Sequence, residues 1–500
     1  MSSVVFDTLS LPQQVGQMLM SSFQGPVVND QVRTLLKLAH VGHIILYANN
    51  VKSPGQVKDL CTGLRQEALE NFPIPLNIAV DQEGGRVTRL KGEGFTQFPT
   101  SRSVAQTRDP SLARQVAVAM AKEMKAVGIT MNLAPVCDVN TNPLNPVIGN
   151  RSFGEDPDTV IRFAGEEIDG FHQEGIQTCL KHYPGHGDTS VDSHFGLPTV
   201  CKDRSALEAT ELAPFKALSS KTDAIMSAHV VLPALDETWC ATFSSKILDT
   251  LRKSGFQGLI ISDSITMEGA LKQTDGNIVE AALKAIEAGC DVLCIAGITA
   301  NPQTILDVHQ GIIQAVETGR IAVERIQESL QRVALAKTRL VDRLSQDTPL
   351  QGFEEHLQLV RTIAEKSFEC VKQDASCHLQ GKKLFVFYSS AVKAELDKTT
   401  FFGKSIVDTL TDGAEDLAKI ESKSPQAADI SLWVVHNVFV NSKLQEALGS
   451  LAQRSGQIVL MTVGSSYDST YFKKFANVAT IVNTYSPTRD AMQVALERLD

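Results

Sequence analysis

No uncharged apolar run in the sequence reaches the roughly 20 residues a membrane-spanning helix needs, so no membrane partner is expected. Nor is there a lysine- and arginine-rich stripe. The 47 basic residues are outnumbered by 57 acidic ones, the formal net charge is -10 and the pI is near 5.6, which argues against nucleic acid. The N-terminus (Met1 to Asp7) lacks a basic region followed by an apolar segment, so no secretion signal is expected. The nine cysteines are odd in number and scattered, without the paired spacing of a disulfide framework or a zinc site. Several, such as Cys179 and Cys294, lie inside apolar runs. Reduced, buried thiols in a cytoplasmic protein are the expectation. Solenoid repeats and low-complexity tracts are also missing. What remains is an ordinary globular composition, 43% hydrophobic and 21% charged, over 500 residues, enough for two or three domains with buried cores.

Residues 1–343 alternate short apolar runs with amphipathic stretches. The runs are Val15–Phe23, Val41–Tyr47, Leu76–Gln82, Ile129–Val139, Gln177–Tyr183, Ala224–Val230, Gly258–Ser264 and Val292–Ala296. Helical patterns between them include Ser111–Val127, Val160–Gln173 and Ile278–Ala288, the last followed by Gly289 as a stop. Eight strands alternating with helices predict an α/β fold of the (β/α)8 TIM-like barrel type, which takes about 250 residues. The first strand is the weakest, and a doubly wound open sheet is the alternative. A helix-rich stretch, Pro302–Arg343, closes this domain. Residues 344–375 read as a linker, most polar around Leu344–Gly352, and 376–500 as a smaller α/β/α sandwich. Its strands are expected at Lys383–Tyr388, Ile430–His436, Ile458–Gly464 and Val478–Tyr485, with helices at Leu444–Ala452 and Arg489–Leu499. The sequence stops directly after a helix, as a truncated copy of such a domain would.

Polar groups crowd the ends of the expected barrel strands, where a barrel carries its active groups. The third strand ends in Asp81-Gln82-Glu83-Gly84-Gly85-Arg86, with Arg89 shortly after, and the fourth near Asp138. The loop beyond the fourth holds Asn150-Arg151-Ser152-Phe153-Gly154. The fifth runs into Lys181-His182-Tyr183-Pro184-Gly185-His186-Gly187-Asp188-Thr189-Ser190-Val191-Asp192-Ser193-His194, with three histidines, a lysine and two aspartates. That many titratable groups cannot be buried unpaired, since each carries a desolvation cost of about several kcal/mol. The sixth strand ends at His229 and the seventh at Asp263. Asp263 is equally suited to cap the next helix or to act as a carboxylate nucleophile or base. Asp192 and His194, two apart in a loop, can hydrogen-bond, so that the carboxylate fixes the imidazole tautomer and raises its pKa. His182, His186 and Asp188 invite a metal reading, but Pro184 and Gly185 keep the two histidines off one helix face and no HExxH or cysteine pair supports zinc. No metal and no cofactor are expected. Arg89, Arg151 and Lys181 together with Asp81 suit the gripping of hydroxyls through charge-assisted hydrogen bonds.

These strings, in this order, resemble glycoside hydrolase family 3, in its β-N-acetylhexosaminidase branch. The Lys181–Thr189 loop with its Asp192-Ser193-His194 continuation is the most specific part, and the second domain resembles the family's α/β/α sandwich more loosely. The resemblance implies Asp263 as nucleophile, His194 as general acid/base with Asp192 as its partner, and Asp81, Arg89, Arg151, Lys181 and His182 as contacts to a terminal N-acetylglucosamine. It implies a retaining exo-β-N-acetylglucosaminidase that works on oligosaccharides by double displacement. Tyr183 stands where the family commonly has phenylalanine, and Ser264 where a second aspartate often follows the nucleophile. Two rivals are a β-N-acetylglucosaminide phosphorylase, since a neutral imidazole tolerates an anionic acceptor, and a non-catalytic amino-sugar-binding protein. Binding alone has no need of a nucleophile.

Overall fold

The computed structural model describes residues 8–297, 301–344, 353–374, 384–388, 406–410, 430–436 and 441–499, with isolated positions 350, 377, 379, 438 and 439. Eight short strands form the first domain: β1 (Leu19–Ser21), β2 (His43–Leu46), β3 (Asn77–Val80), β4 (Met131–Asn132), β5 (Gln177–Tyr183), β6 (Ala224–Ser227), β7 (Leu259–Ser262) and β8 (Leu293–Ile295). All pair in parallel in the order β8-β1-β2-β3-β4-β5-β6-β7, and a parallel bridge from Ile261 to Val292 joins β7 back to β8. The sheet therefore closes into a barrel, and the open-sheet alternative falls. Strand residues such as His43-Ile44-Ile45-Leu46 and Leu259-Ile260-Ile261-Ser262 are buried on both faces, which is why they read as unbroken apolar runs and not as alternation.

The differences from expectation have local causes. Val15–Phe23 divides: Leu11–Gln17 is a helix behind Ser10, and only Leu19–Ser21 is strand. The run Ile129–Val139 keeps just two ladder residues, because Pro135 has no amide to donate and pairing resumes only at a single Val136–Lys181 bridge. Leu76–Gln82 leaves the barrel after Val80 and turns into a small antiparallel hairpin, Gln82–Gly84 with Val87–Thr88. The helices Pro110–Ala126, Pro157–Gln173 and Ile278–Ala288 start at Asp109, Asp156 and Asn277, whose side chains accept amides of the first turn. Pro302–Arg343 is two helices, Pro302–Glu317 and Val323–Leu344.

A second sheet contains β9 (Glu369–Lys372), β10 (Leu384–Tyr388), β11 (Ile406–Leu410), β12 (Ile430–Val435), β13 (Gln457–Thr462) and β14 (Val478–Asn483), in the order β9-β14-β13-β12-β10-β11. Only β9 runs antiparallel to its neighbour. Successive residues of β12 face opposite cores: Leu432 and Val434 pack with Met492 and Leu496, Trp433 and Val435 with Leu448 and Phe472. That is the layered sandwich expected. Helices Ser442–Arg454 and Arg489–Leu499 cover it, and β11 is a strand the sequence pattern did not announce. Lys383, at the start of one expected strand, lies outside the described residues.

The 344–375 stretch carries a helix, Glu354–Ser367, and then β9 of the second sheet. The helix is tied to both sides. His356 Nδ1 lies 2.9 Å from Glu123 of the barrel, Ser367 Oγ 3.0 Å from Ser103, and Arg361 pairs with Glu497. Thr100 Oγ1 donates to Tyr485 O at 2.7 Å, a second tie between the two domains. Among the described residues no helix is long and apolar enough to cross a membrane.

Candidate active site

The residues that follow the barrel strands surround a cavity of about 810 Å³. One wall is a cluster of fixed charges. Asp81, just beyond β3, accepts from Lys181 Nζ at 2.8 Å and from Arg89 Nη2 at 3.4 Å. Glu83, in the hairpin, is clasped by Arg151 through Nε and Nη2, both at 2.8 Å, and by Lys181 Nζ at 2.6 Å. A side-on guanidinium with two parallel bonds holds both groups rigidly. Burial works against the ionised forms, but the cations more than offset it, so the carboxyls of Asp81 and Glu83 stay below the usual range. Burial would likewise lower Lys181 and Arg151, yet the carboxylates raise both. Three cations against two carboxylates leave a net positive wall with donors to spare. Arg89 lies over the Tyr47 ring, 5.2 Å from its centroid, and its buried Nε has no partner among the described residues.

The middle of the site belongs to β5. His182 Nδ1 lies 2.7 Å from Asp138 Oδ2, and Asp138 Oδ1 accepts the backbone amides of His182 at 3.2 Å and His186 at 2.7 Å. Although burial opposes it, these contacts hold the Asp138 carboxyl low. With Nδ1–H donated to Asp138, Nε2 is left as acceptor toward Arg151 Nη2 at 3.4 Å.

At the tip of β7 sits Asp263. It caps nothing: the next helix, Glu268–Leu271, has Met267 at its N-cap position. Its Oδ1 accepts the Ser264 amide at 2.7 Å, and Oδ2 makes no hydrogen bond among the described residues. Burial alone would push its pKa up. The imidazoles of His182, His229 and His194 and the Ser264 amide outweigh that, and the carboxyl is held below its usual value. Asp263 is thus an ionised carboxylate with one oxygen unspent, lining the cavity.

The loop after β5 closes the arrangement. His194 Nδ1 lies 2.7 Å from Asp192 Oδ1, which also accepts the His194 amide at 2.9 Å. The bond to Asp192 raises the imidazole pKa above its ordinary 6.5 against the effect of burial, and the Asp263 charge adds to it. His194 lines the same cavity as Asp263, so the fifth-strand loop and the seventh-strand tip share one face of the barrel. The rest of the histidine-rich string holds this loop in place, and His186 and Ser193 also line the cavity. His186 Nδ1 lies 2.8 Å from Thr189 Oγ1 and Nε2 3.0 Å from Ser193 Oγ, while burial brings its pKa down to about 4, so it is neutral. At Gly187 a Cβ would fall 1.8 Å from Val139 O, so no side chain fits there. Asp188 is 3.4 Å from Lys202. His182, His186 and Asp188 therefore have separate partners. Among the described residues no group of three or more histidine, cysteine, aspartate or glutamate side chains could hold a metal ion.

Residues 10–336 match the glycosyl hydrolase family 3 N-terminal domain. The chain belongs to this glycoside hydrolase family. It is 34% identical over 369 residues to a β-hexosaminidase A of Pseudoalteromonas piscicida, covering 69% of this chain and 61% of that relative's length. To a β-hexosaminidase of Tolumonas auensis it is 39% identical over 294 residues, 58% of this chain and 85% of the relative. The solved structure of a family 3 β-N-acetylglucosaminidase from Paenibacillus sp. str. FPU-7 is similar across both domains, with a TM-score of 0.87, 32% identity, and coverage of 98% of this chain and 97% of that one.

In this glycoside hydrolase, Asp81, Arg89, Arg151, Lys181, His182, His194 and Asp263 all line the one cavity, and Asp192 stands directly behind His194. Asp138, Glu83 and His229 were named in the sequence strings but given no role by the residue-by-residue reading. Glu83 organises Arg151 and Lys181, and its signal was present, in the same Asp81–Arg86 string. His229, after β6, lies near Asp263 with Nε2 donating to Ser264 O at 3.0 Å, and burial lowers its pKa. Its position at a strand end was the only clue.

Proposed function

We propose that this family 3 hydrolase is a retaining exo-β-N-acetylglucosaminidase, acting on terminal, non-reducing N-acetylglucosamine of oligosaccharides by double displacement. The observation that carries it is the ionised, half-spent Asp263 carboxylate in the same cavity as an imidazole whose pKa a neighbouring carboxylate raises. Retaining glycosidases ordinarily use two carboxyl groups about 5–5.5 Å apart; here the His194–Asp192 pair takes the second role. Asp263 attacks the anomeric carbon as the glycosidic C–O bond breaks, and His194 gives its proton to the leaving oxygen. The neutral imidazole then takes a proton from water, whose oxygen attacks the anomeric carbon and releases Asp263. Contacts from Asp81, Arg89, Arg151, Lys181 and His182 to the sugar's hydroxyls orient the ring and supply binding energy that is used at the transition state. The ion-paired wall supports attack on a terminal residue, because a longer chain on that side would have to displace Asp81–Lys181 and Glu83–Arg151. We place the enzyme in the cytoplasm, a reading supported by nine free cysteines, most of them buried, with thiols such as Cys61 pushed up to about 11 by burial.

The test is a panel of β-linked N-acetylglucosaminides, N-acetylgalactosaminides and glucosides, in a non-nucleophilic buffer and in phosphate. We expect cleavage of the N-acetylglucosaminides, with the β-anomer of the free sugar formed first, as followed by NMR. Initial release of the α-anomer would rule out retention. Sugar 1-phosphate as main product would make the enzyme a phosphorylase, and preferential cleavage of glucosides would overturn the substrate.

A further inference from the structure

Phe195 is an anomaly. It is 76% exposed, the most exposed of the large apolar side chains among the described residues and the one aromatic in that group. Scattered exposed aliphatics are normal on any protein surface. A phenylalanine beside a proton donor, on the rim of a sugar-sized cavity that it also lines, is a different matter.

Its exposure is enforced by the backbone around it. The Phe195 amide donates to Asp192 O at 3.0 Å, which tightens the turn carrying His194. Just before it, Ser193 is held at two points: its carbonyl takes the Gly269 amide at 3.0 Å, and its hydroxyl lies 3.0 Å from His186 Nε2. Just after it, Gly196 lies so close to the barrel rim that a Cβ on Gly269 would come within 2.8 Å of Gly196 O. With main chain fixed on both sides, the ring cannot fold into the core. It stands next to the His194 ring, centroids 6.3 Å apart and planes inclined by 47°.

Resting on the proposed function, we propose that Phe195 is the platform of a leaving-group subsite and binds the second sugar ring of a β-linked N-acetylglucosamine oligosaccharide. The leaving oxygen must come within hydrogen-bond reach of His194, since that group protonates it. The rest of the leaving group then lies on the outer side of the imidazole, where Phe195 is. A pyranose presents a face of C–H bonds, slightly positive, to the negative face of the aromatic ring. Binding there, remote from the bond that breaks, favours oligosaccharides over glycosides with small leaving groups. Phe195 would set specificity without taking part in proton transfer.

The experiment compares two substrates that ask the same of His194: the β-linked N-acetylglucosamine disaccharide, and trifluoroethyl β-N-acetylglucosaminide, whose acyclic leaving group has similar basicity but no ring to stack. In Phe195→Ala, kcat/KM for the disaccharide is expected to fall about tenfold, mostly through KM, as for loss of one apolar contact surface. The trifluoroethyl glycoside should stay within about twofold. Phe195→Trp should restore the disaccharide. Equal loss on both substrates would mean that the ring merely holds the loop, and no loss on either that it touches nothing; both overturn the subsite while the proposed function stands. If the unaltered enzyme cleaves neither glycoside, the function and the subsite fall together.

Discussion

Two histidine–aspartate pairs face the same cavity with the same geometry, each with Nδ1 2.7 Å from a carboxylate oxygen, and they differ in where they stand. His182–Asp138 is built into the barrel, its side chains 8% and 0% exposed; His194–Asp192 rides on a loop, at 57% and 22%. In the buried pair, Asp138 also receives two backbone amides, and His182 is held between a carboxylate and a guanidinium. Only the edge of His182 that lines the cavity is open. In the loop pair, the carboxylate receives one side-chain and one backbone bond from the same residue, and the imidazole is open to substrate and water. In the proposed function the same two side chains thus serve as a fixed positioning element in one place and as the proton-transfer couple in the other. Burial and the number of competing partners decide which.

Both pairs act on the electrostatics of Asp263, so its removal sets the scale for the others. Asp263→Ala should lower hydrolysis of an aryl β-N-acetylglucosaminide by about ten-thousandfold, the order expected when a nucleophile is lost. Activity within about tenfold of the parent would strip Asp263 of its role. Next comes Asp138→Ala. It strands two buried amides and an imidazole, and breaking a buried pair by removing one partner costs about 3–5 kcal/mol. Denaturant unfolding should show that loss, whereas Asp192→Ala at the half-exposed pair should change stability by no more than about 1 kcal/mol. If the two variants unfold alike, the contrast between the pairs is wrong.

How far the sequence anticipated this contrast depended on whether local chemistry or tertiary contact decides. The barrel strands were legible because parallel strands buried on both faces must be apolar throughout. So were Asp263 and the His194–Asp192 pair, since strand ends and short loop spacings are local. The division of Val15–Phe23 into helix and strand was not, because the buried end of helix Leu11–Gln17, Val15-Gly16-Gln17, runs directly into the buried strand Leu19–Ser21. Helix Glu354–Ser367, inside what read as a linker, owes its place to Glu123, Ser103 and Glu497, which are far away in sequence. Likewise, no pattern in the chain says that Asp138 will meet His182, or that Glu83 will clasp Arg151. Those pairings exist only once the barrel has closed. The histidine-rich string looked like a site throughout, yet His186, which also lines the cavity, has both ring nitrogens taken up by Thr189 and Ser193 of its own loop, partners that spacing alone does not reveal.

His194→Ala sharpens the functional half of the comparison. If the imidazole protonates the leaving oxygen, the loss should follow leaving-group basicity. About a hundred- to a thousandfold is expected for an alkyl or sugar leaving group, with a far smaller effect on an activated aryl one. A uniform loss across a series of leaving groups would assign His194 to binding.

The smallest effect is the most specific. Asp192→Asn keeps the shape of the loop pair but weakens the hydrogen bond that chiefly raises the His194 pKa and removes the charge that adds to it. In the proposed mechanism the first chemical step needs Asp263 ionised and His194 protonated. The kcat/KM of the parent enzyme should therefore rise with pH through a low Asp263 pKa and fall through a His194 pKa lying above 6.5. In the variant the acid limb should stay, because the groups that lower Asp263 are chiefly others. The alkaline limb should move down, since burial then acts on His194 with less opposition. Loss should be about tenfold near neutral pH and shrink toward acid pH, where the imidazole of either protein is protonated. The buried pair cannot produce this pattern, because disturbing it changes fold stability at every pH. An alkaline limb that stays in place in Asp192→Asn would show that another group sets it, and that the loop pair is not the proton-transfer couple proposed for it.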